Sequence, residues 1–278
     1  MRPRRLLSLI AIALLLCASR LTAATPIPFQ FREGMIWVKI AVSAKSESLN
    51  FLLDSGAGAS VLDLAAARRL GLKLGASQSV QGVHSRATAY RVEGFAAHTA
   101  SIAVPSSLLA VDLSGPSRAC QQRIDGLLGA DFFRNRLVQI DFAAQTIRVL
   151  QRGELNETGC EILPLTTRND AICARVSVDG NGPEWLRLDT GCNTSLEWVV
   201  TDNKAKNLGV PTIGVNSGSL RELHTNVRLG SKRVAAVKTG IHTEQMFTGE
   251  AGLIGNGLLS RFVVTIDSAK RRCLLASR

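Results

Sequence analysis

Two aspartates, Asp54 and Asp189, occupy matching places in two similar stretches of this chain. Each aspartate ends a short apolar run and is followed by a small hydroxyl residue and a glycine. Hydrolysis of an amide without a metal needs one group that takes a proton from water and another that gives a proton to the departing nitrogen. Two carboxyl groups that share one proton can do both, because two adjacent carboxylates cannot both ionise cheaply. The pattern therefore predicts a paired-carboxyl site for hydrolysis.

The residues that follow each aspartate suit such a pair. Gly56 and Gly191 allow the chain to turn back sharply, so that backbone N–H groups can point at the carboxylates. Ser55 and Thr190 carry hydroxyl groups that can hydrogen-bond across a junction between two halves of the molecule. A twofold relation between the halves would bring the two loops together.

An internal repeat places these residues in equivalent positions. The first half contains MIWVKIAVSAKSESLNFLLDSGAGASVL, and the second contains AICARVSVDGNGPEWLRLDTGCNTSLEW. In both halves an alternating strand, a turn and a second apolar strand lead into the aspartate. Downstream, each half repeats an apolar-apolar-glycine motif, a short helical stretch and a strand with a central Ile-Asp pair. The two downstream motifs are Leu127, Leu128 and Gly129 in the first half and Leu253, Ile254 and Gly255 in the second.

The polar, glycine-containing segment 151–159 separates the two halves and is the natural linker. We place the boundary near residue 155, which predicts an N-terminal lobe over 25–155 and a C-terminal lobe over 156–278. The remaining sequence indicates short strands with brief helices, such as 62–70. Two mainly β lobes that face each other are therefore expected.

The motifs LLDSGAGAS and LRLDTGCNTS, each with its later LLG or LIG, resemble the pepsin and retropepsin superfamily of aspartic proteases. One Asp-Ser/Thr-Gly motif is weak evidence for this superfamily, whereas two copies in a duplicated context are strong evidence. The resemblance implies a mainly β, bilobal acid-protease fold with two pseudo-twofold related β-barrel lobes and short helices. It implies an aspartic endopeptidase with catalytic Asp54 and Asp189, a peptide or protein substrate, no cofactor, no metal and one chain as a sufficient monomer. The residues expected to support the pair are Ser55, Gly56, Thr190, Gly191, Leu128, Gly129, Ile254 and Gly255.

Proteins of this superfamily also place a β-hairpin flap over the cleft, and residues 79–95 are the candidate for it. Gly82, Val83 and His84 would lie at its tip, and Tyr90 is the candidate flap tyrosine for substrate binding. An ordinary surface hairpin is the alternative. Cys192, which follows Asp-Thr-Gly, departs from the usual pattern; we interpret it as a small buried hydrophobe rather than a redox switch. The compact lobes favour a fused retropepsin-like dimer over a full pepsin.

Residues 1–24 have the layout of a secretory signal peptide: arginines, a short apolar run and small residues. We therefore expect export to the periplasm or the extracellular space, without stable membrane insertion once the signal is removed. Retention of the segment as an uncleaved anchor is the alternative. The net charge is +11, but the basic residues are scattered and aromatic residues make up only 5% of the chain, so no nucleic-acid partner is expected.

Other chemistries fit the sequence poorly. The cysteines have no zinc-site spacing, and an odd number remains once Cys17 is removed with the signal, so they cannot all pair internally. The chain contains no G-x-S-x-G nucleophile elbow, and the DSGAGAS loop lacks the third glycine of a dinucleotide-binding loop. The main alternative to an endopeptidase is a non-catalytic binding or scaffolding protein of the cell envelope with the same fold. Retention of both aspartates with both glycines favours the enzyme.

Overall fold

A computed structural model of the chain describes residues 25–43, 46–81, 86–200 and 221–278. The expected signal peptide, residues 1–24, lies outside these ranges. Within them, strands predominate and the helices are short, as the sequence predicted. No helix of the described ranges has the length and apolar character of a membrane span.

The N-terminal lobe is built from short antiparallel strands with a few single-turn or two-turn helices. Its first long strands are amphipathic: the MIWVKIAV strand alternates buried and exposed residues toward its end, as a strand packed on one face requires. Its strands are β1 (Ile27–Arg32), β2 (Met35–Val42), β3 (Ser48–Leu53), β4 (Val61–Asp63), β5 (Lys73–Gln81), β6 (Arg86–Glu93), β7 (Ala97–Thr99), β8 (Ile102–Ala103), β9 (Leu109–Val111), β10 (Gly126–Leu128), β11 (Leu137–Asp141) and β12 (Thr146–Leu150). Its helices are α1 (Leu64–Arg69), α2 (Ser114–Ala119) and α3 (Ala130–Phe133).

The C-terminal lobe repeats this order with fewer described elements. A 3₁₀ turn, Arg152–Glu154, comes just before it in the connecting segment. Its strands are β13 (Cys160–Arg168), β14 (Ala171–Val178), β15 (Glu184–Leu188), β16 (Leu196–Val199), β17 (Arg221–Leu229), β18 (Lys232–His242), β19 (Gly252–Ile254), β20 (Phe262–Asp267) and β21 (Arg272–Ser277), and its helix is α4 (Asn256–Leu259).

The same strand crossing occurs in both lobes and fixes where each aspartate lies. In the N-terminal lobe, β10 runs parallel to β3 on one side and antiparallel to β4 on the other. In the C-terminal lobe, β19 has the same relation to β15 and β16. The backbone N–H of Asp54 donates to the carbonyl of Leu128 at 2.8 Å, and that of Asp189 donates to the carbonyl of Ile254 at 2.9 Å. The sequence repeat is therefore also a structural repeat.

An antiparallel sheet joins the two lobes. Its strands follow the order β1, β12, β11, β20, β21, β13. The central pair is β11 and β20, where Gln139 lies opposite Thr265 and Ile140 opposite Val264. Exchanging the halves of the chain exchanges β1 with β13, β12 with β21 and β11 with β20. This order is the pseudo-twofold symmetry that the duplication predicts.

Apolar side chains on both faces of β3 anchor the approach to Asp54. Phe51 and Leu53 belong to the main core, and burial of each stabilises the fold by about 1.5–3 kcal/mol. Leu52 points to the other face, into a smaller apolar cluster with Trp37 and Ile124. The strand that carries Asp54 is therefore held on both sides.

Candidate active site

The structure brings Asp54 and Asp189 together at the junction of the lobes. A Cβ atom added to Gly56 would lie 2.5 Å from Oδ1 of Asp189, and one added to Gly191 would lie 2.5 Å from Oδ1 of Asp54. Each carboxyl group therefore covers the glycine of the opposite motif. The two carboxyl groups are close enough for each to influence the pKa of the other.

Ser55 and Thr190 form a closed hydrogen-bond network beneath the two carboxyl groups. The backbone N–H of Ser55 donates to Oγ1 of Thr190 at 2.9 Å, and that of Thr190 donates to Oγ of Ser55 at 3.1 Å. The Ser55 hydroxyl donates to the carbonyl of Leu188 at 2.5 Å, and the Thr190 hydroxyl donates to the carbonyl of Leu53 at 2.9 Å. Both side chains are fully buried. The four bonds tie the two loops together across the lobe junction.

The surroundings of the pair raise the pKa of both aspartates. Burial raises the pKa of Asp54, while hydrogen bonds from Ala57, Asp189 and Gly56 oppose that rise. Burial and the adjacent charge of Asp54 raise the pKa of Asp189 well above its ordinary value. Burial therefore disfavours the charged form of both carboxyl groups, and the charge of one further disfavours ionisation of the other, so the pair is suited to share one proton.

The apolar-apolar-glycine motifs lie directly beneath the two loops. Leu128 and Ile254 accept the backbone hydrogen bonds from the aspartates, as described above. A Cβ atom added to Gly129 would lie 2.5 Å from the carbonyl oxygen of Ala59. One added to Gly255 would lie 2.8 Å from the carbonyl oxygen of Cys192. Only glycine allows the chain to pass this close beneath the loops.

Asn256 is a supporting residue that the sequence reading missed. Its side-chain amide donates to the carbonyl of Gly34 in the opposite lobe at 2.8 Å and to the carbonyl of Thr190 at 2.7 Å. In the first half the equivalent position is Ala130. A residue-by-residue comparison of the two halves would have revealed this polar replacement.

Arg187 is the second residue that the sequence reading missed. It lies on β15 two positions before Asp189 and is 4% exposed. Its guanidinium donates to both carboxylate oxygens of Glu250, at 2.7 and 2.6 Å, and to the carbonyl of Gly56 at 2.7 Å. The ring of Phe247 covers it, with the centroid 3.4 Å from Cζ. A charged residue between two leucines, at a position where the first half has Leu52, is the signal that could have identified it.

The candidate flap is a hairpin of β5 and β6, paired from Lys73 opposite Glu93 to Gln81 opposite Arg86. The proposed tip residues Gly82, Val83 and His84 lie outside the described residues. Tyr90 lies on β6 opposite Ala110 of β9 and packs against the main core. Its substrate-binding role stays a prediction, since this position is within the hairpin strand rather than at the tip.

The cysteines of the described ranges are all unpaired. Cys192 lies beside the pair, with Sγ 3.1 Å from Oγ1 of Thr194. Burial, and then the charge of Asp189, raises the pKa of its thiol to about 11, which disfavours the reactive thiolate. Within the part of the chain that the structure describes, no cluster of His, Cys, Asp or Glu could hold a metal ion.

Comparisons with known proteins agree with this architecture. A family model described as aspartyl protease matches residues 38–132. The crystal structure of the aspartic proteinase from Irpex lacteus superposes with a TM-score of 0.59 at 13% identity, covering 92% of this chain and 97% of that chain. A search of curated proteins found no match. The structural likeness confirms the predicted mainly β, pepsin-like fold.

Proposed function

We propose that this chain is an aspartic endopeptidase of the pepsin/retropepsin-like superfamily, because an aspartyl protease model matches residues 38–132 and the fold is similar to that of an aspartic proteinase. The observation that carries the proposal is the reciprocal placement of Asp54 and Asp189, each with its carboxyl group on the glycine of the other motif. Two carboxyl groups in that relation supply both a base and an acid to one reacting centre.

The reaction follows from the unequal charge states of the pair. Ionised Asp54 takes a proton from a water molecule held between the carboxyl groups, and the water oxygen bonds to the carbon of the scissile carbonyl. Protonated Asp189 gives its proton to the carbonyl oxygen, which yields an uncharged tetrahedral diol. Asp54 then passes its proton to the departing nitrogen while Asp189 takes one back from a hydroxyl group. The C–N bond breaks, and both aspartates return to their starting charge states.

The surrounding residues serve this reaction by fixing geometry. The Ser55 and Thr190 network holds the two loops in register, so that little movement is needed on the path to the tetrahedral species. The N–H of Ala57 donates to Oδ1 of Asp54 at 2.9 Å and favours its ionised form. The proposed substrate is a peptide or protein in an exported compartment, as the N-terminal segment and the fold would suit.

The test is digestion of a mixed peptide library by the purified protein between acidic and neutral pH, with cleavage sites read by mass spectrometry. We expect wild type to cut internal peptide bonds and Asp54→Asn to cut none. The matched control is Asp112→Asn, because Asp112 is an exposed aspartate whose carboxylate caps the nearby Ser114 N–H. Cleavage that survives in Asp54→Asn would overturn the assignment. A folded wild type that cuts nothing would favour the non-catalytic binding protein.

A further inference from the structure

A hydrogen-bond chain links Arg187 to Asp54 through a single peptide group. Nη1 of Arg187 donates to the carbonyl oxygen of Gly56 at 2.7 Å. The N–H of the same peptide group, that of Ala57, donates to Oδ1 of Asp54 at 2.9 Å. Because a peptide group is planar and polarisable, a cation at its oxygen strengthens the bond that its N–H makes.

The C-terminal motif lacks this chain. Oδ1 of Asp189 accepts instead from the N–H of Gly191, at 2.9 Å. Arg187 itself has an apolar counterpart, since the first half has Leu52 two positions before its aspartate. Glu250 likewise corresponds to Ile124, because Glu250 lies two positions before Gly252 and Ile124 lies two positions before Gly126. One lobe thus carries a buried ion pair where the other carries two packed aliphatic side chains.

The ion pair is enclosed by groups from several elements. Glu250 also accepts a hydrogen bond from the side chain of Asn169 at 2.7 Å, and Phe247 covers the guanidinium. Arg187 therefore has no freedom to turn away from Gly56 while its bonds to Glu250 persist. Of the other titratable groups nearby, Cys173 interacts with Arg187 and Glu250, Cys192 interacts with Asp189 and Glu197, and Asp170 packs against Gly58 of the first loop.

We propose that Arg187 is a positioning residue that makes the two aspartates unequal, by backing the Gly56–Ala57 peptide so that Asp54 carries the charge and Asp189 the proton. Glu250 holds the guanidinium in place for this role. The proposal rests on the proposed peptidase function for its kinetic consequences, but the distribution of charge within the pair can be measured without turnover.

The decisive variant is Arg187→Leu combined with Glu250→Ile, which copies the apolar pair of the first lobe and leaves no buried charge unpaired. Carboxyl ¹³C NMR of protein labelled at aspartate follows the titration of Asp54 and Asp189. In wild type, we expect Asp54 to ionise at lower pH than Asp189. In the double variant, both ionisations move to higher pH and the interval between them narrows, because a nearby cation favours the charged forms.

Kinetics on a cleaved peptide give a second readout. We expect kcat of the double variant to fall roughly 10- to 100-fold, by analogy with the loss of a hydrogen-bond partner that orients a metal ligand. KM should change little, and both limbs of the kcat/KM profile should move to higher pH. Arg187→Lys keeps the charge and a bond to Glu250 but lacks the fork that also reaches Gly56, so its effects should be smaller in the same direction.

The control is Arg148→Leu with Glu154→Ile, which removes an ion pair between β12 and the connecting turn and should leave both readouts unchanged. Unchanged aspartate titrations in both Arg187 variants would overturn the proposal and leave the ion pair a purely structural element. If the double variant fails to fold, Arg187→Lys answers the same question. A wild type that cleaves no peptide would contradict the peptidase function alone, because the NMR titration would still test the effect of Arg187 on the two aspartates.

Discussion

Gly56 lies against the carboxyl group of Asp189, close enough that a methyl group on it would overlap the carboxyl oxygens. Gly191 has the same relation to Asp54. Neither glycine has a positive φ, so close approach rather than backbone conformation requires glycine at these two positions. The absence of a side chain at these two positions therefore allows the two loops to approach each other closely.

Replacement of Gly56 by alanine should displace the carboxyl group of Asp189. A displacement of about 1 Å can lower a rate roughly 100-fold, and we expect a loss of at least that order in kcat/KM. Gly115→Ala in α2 is the control, because nothing lies within 4 Å of the added methyl group. Peptide cleavage at the wild-type rate by folded Gly56→Ala would show that the described contact does not exist in the working protein.

The hydroxyl groups of Ser55 and Thr190 should stabilise the whole molecule. Thr190→Ala leaves the N–H of Ser55 and the carbonyl of Leu53 buried without their partner. The free energy of unfolding in urea should fall by about 1–3 kcal/mol. Thr190→Ser keeps the hydroxyl and should lose much less. Equal stability of the alanine and serine variants would mean that the hydroxyl bond contributes nothing.

The raised pKa of Asp189 predicts how stability depends on pH. In the folded state this carboxyl group keeps its proton above 3.8, the ordinary value, so the folded protein binds more protons than the unfolded chain in that range. The contribution of Asp189 to the free energy of unfolding is therefore fully present below pH 3.8 and is lost as the pH rises through the folded-state pKa. Asp189→Asn removes the effect, so it should be more stable than wild type at about pH 7 but not below pH 3.8. Urea unfolding at both pH values measures this, and a wild type that is the more stable protein at neutral pH would refute it.

The thiols should differ in reactivity. Burial raises the pKa of Cys173 and of Cys273 to about 12, and that of Cys192, which is partly exposed, to about 11; Cys120 is also partly exposed, and burial raises the pKa of its thiol by less. Under brief alkylation of the native protein, mass spectrometry should find Cys120 modified before these three. Rapid modification of Cys192, with loss of cleavage, would instead support the redox switch over the small buried hydrophobe.

Much of the fold could be predicted because each sequence pattern occurs in both halves of the chain. The alternating strands, the Asp-Ser/Thr-Gly loops and the later Leu-Leu-Gly and Leu-Ile-Gly motifs each gain weight from the second copy. Periodicity alone predicted strands that the structure places as β2 and β14. The contact of the two aspartates also follows, because a twofold relation of equivalent loops leaves few other arrangements.

The asymmetric features could not be predicted in this way. Arg187 and Asn256 break the repeat, and their partners Glu250, Gly56 and Gly34 are distant in the sequence. Strand patterning cannot place such contacts, since they depend on how the lobes pack.

The central claim is that Asp54 and Asp189 act as one unit on one peptide bond. Its most direct test is the cleavage rate of wild type, Asp54→Asn, Asp189→Asn and the double variant on one peptide, with unfolding checked for each. Groups that act as a unit are not additive, so each single variant should lose as much kcat/KM as the double variant. Losses that add, or a single variant that retains most of the wild-type rate, would contradict the shared-proton pair.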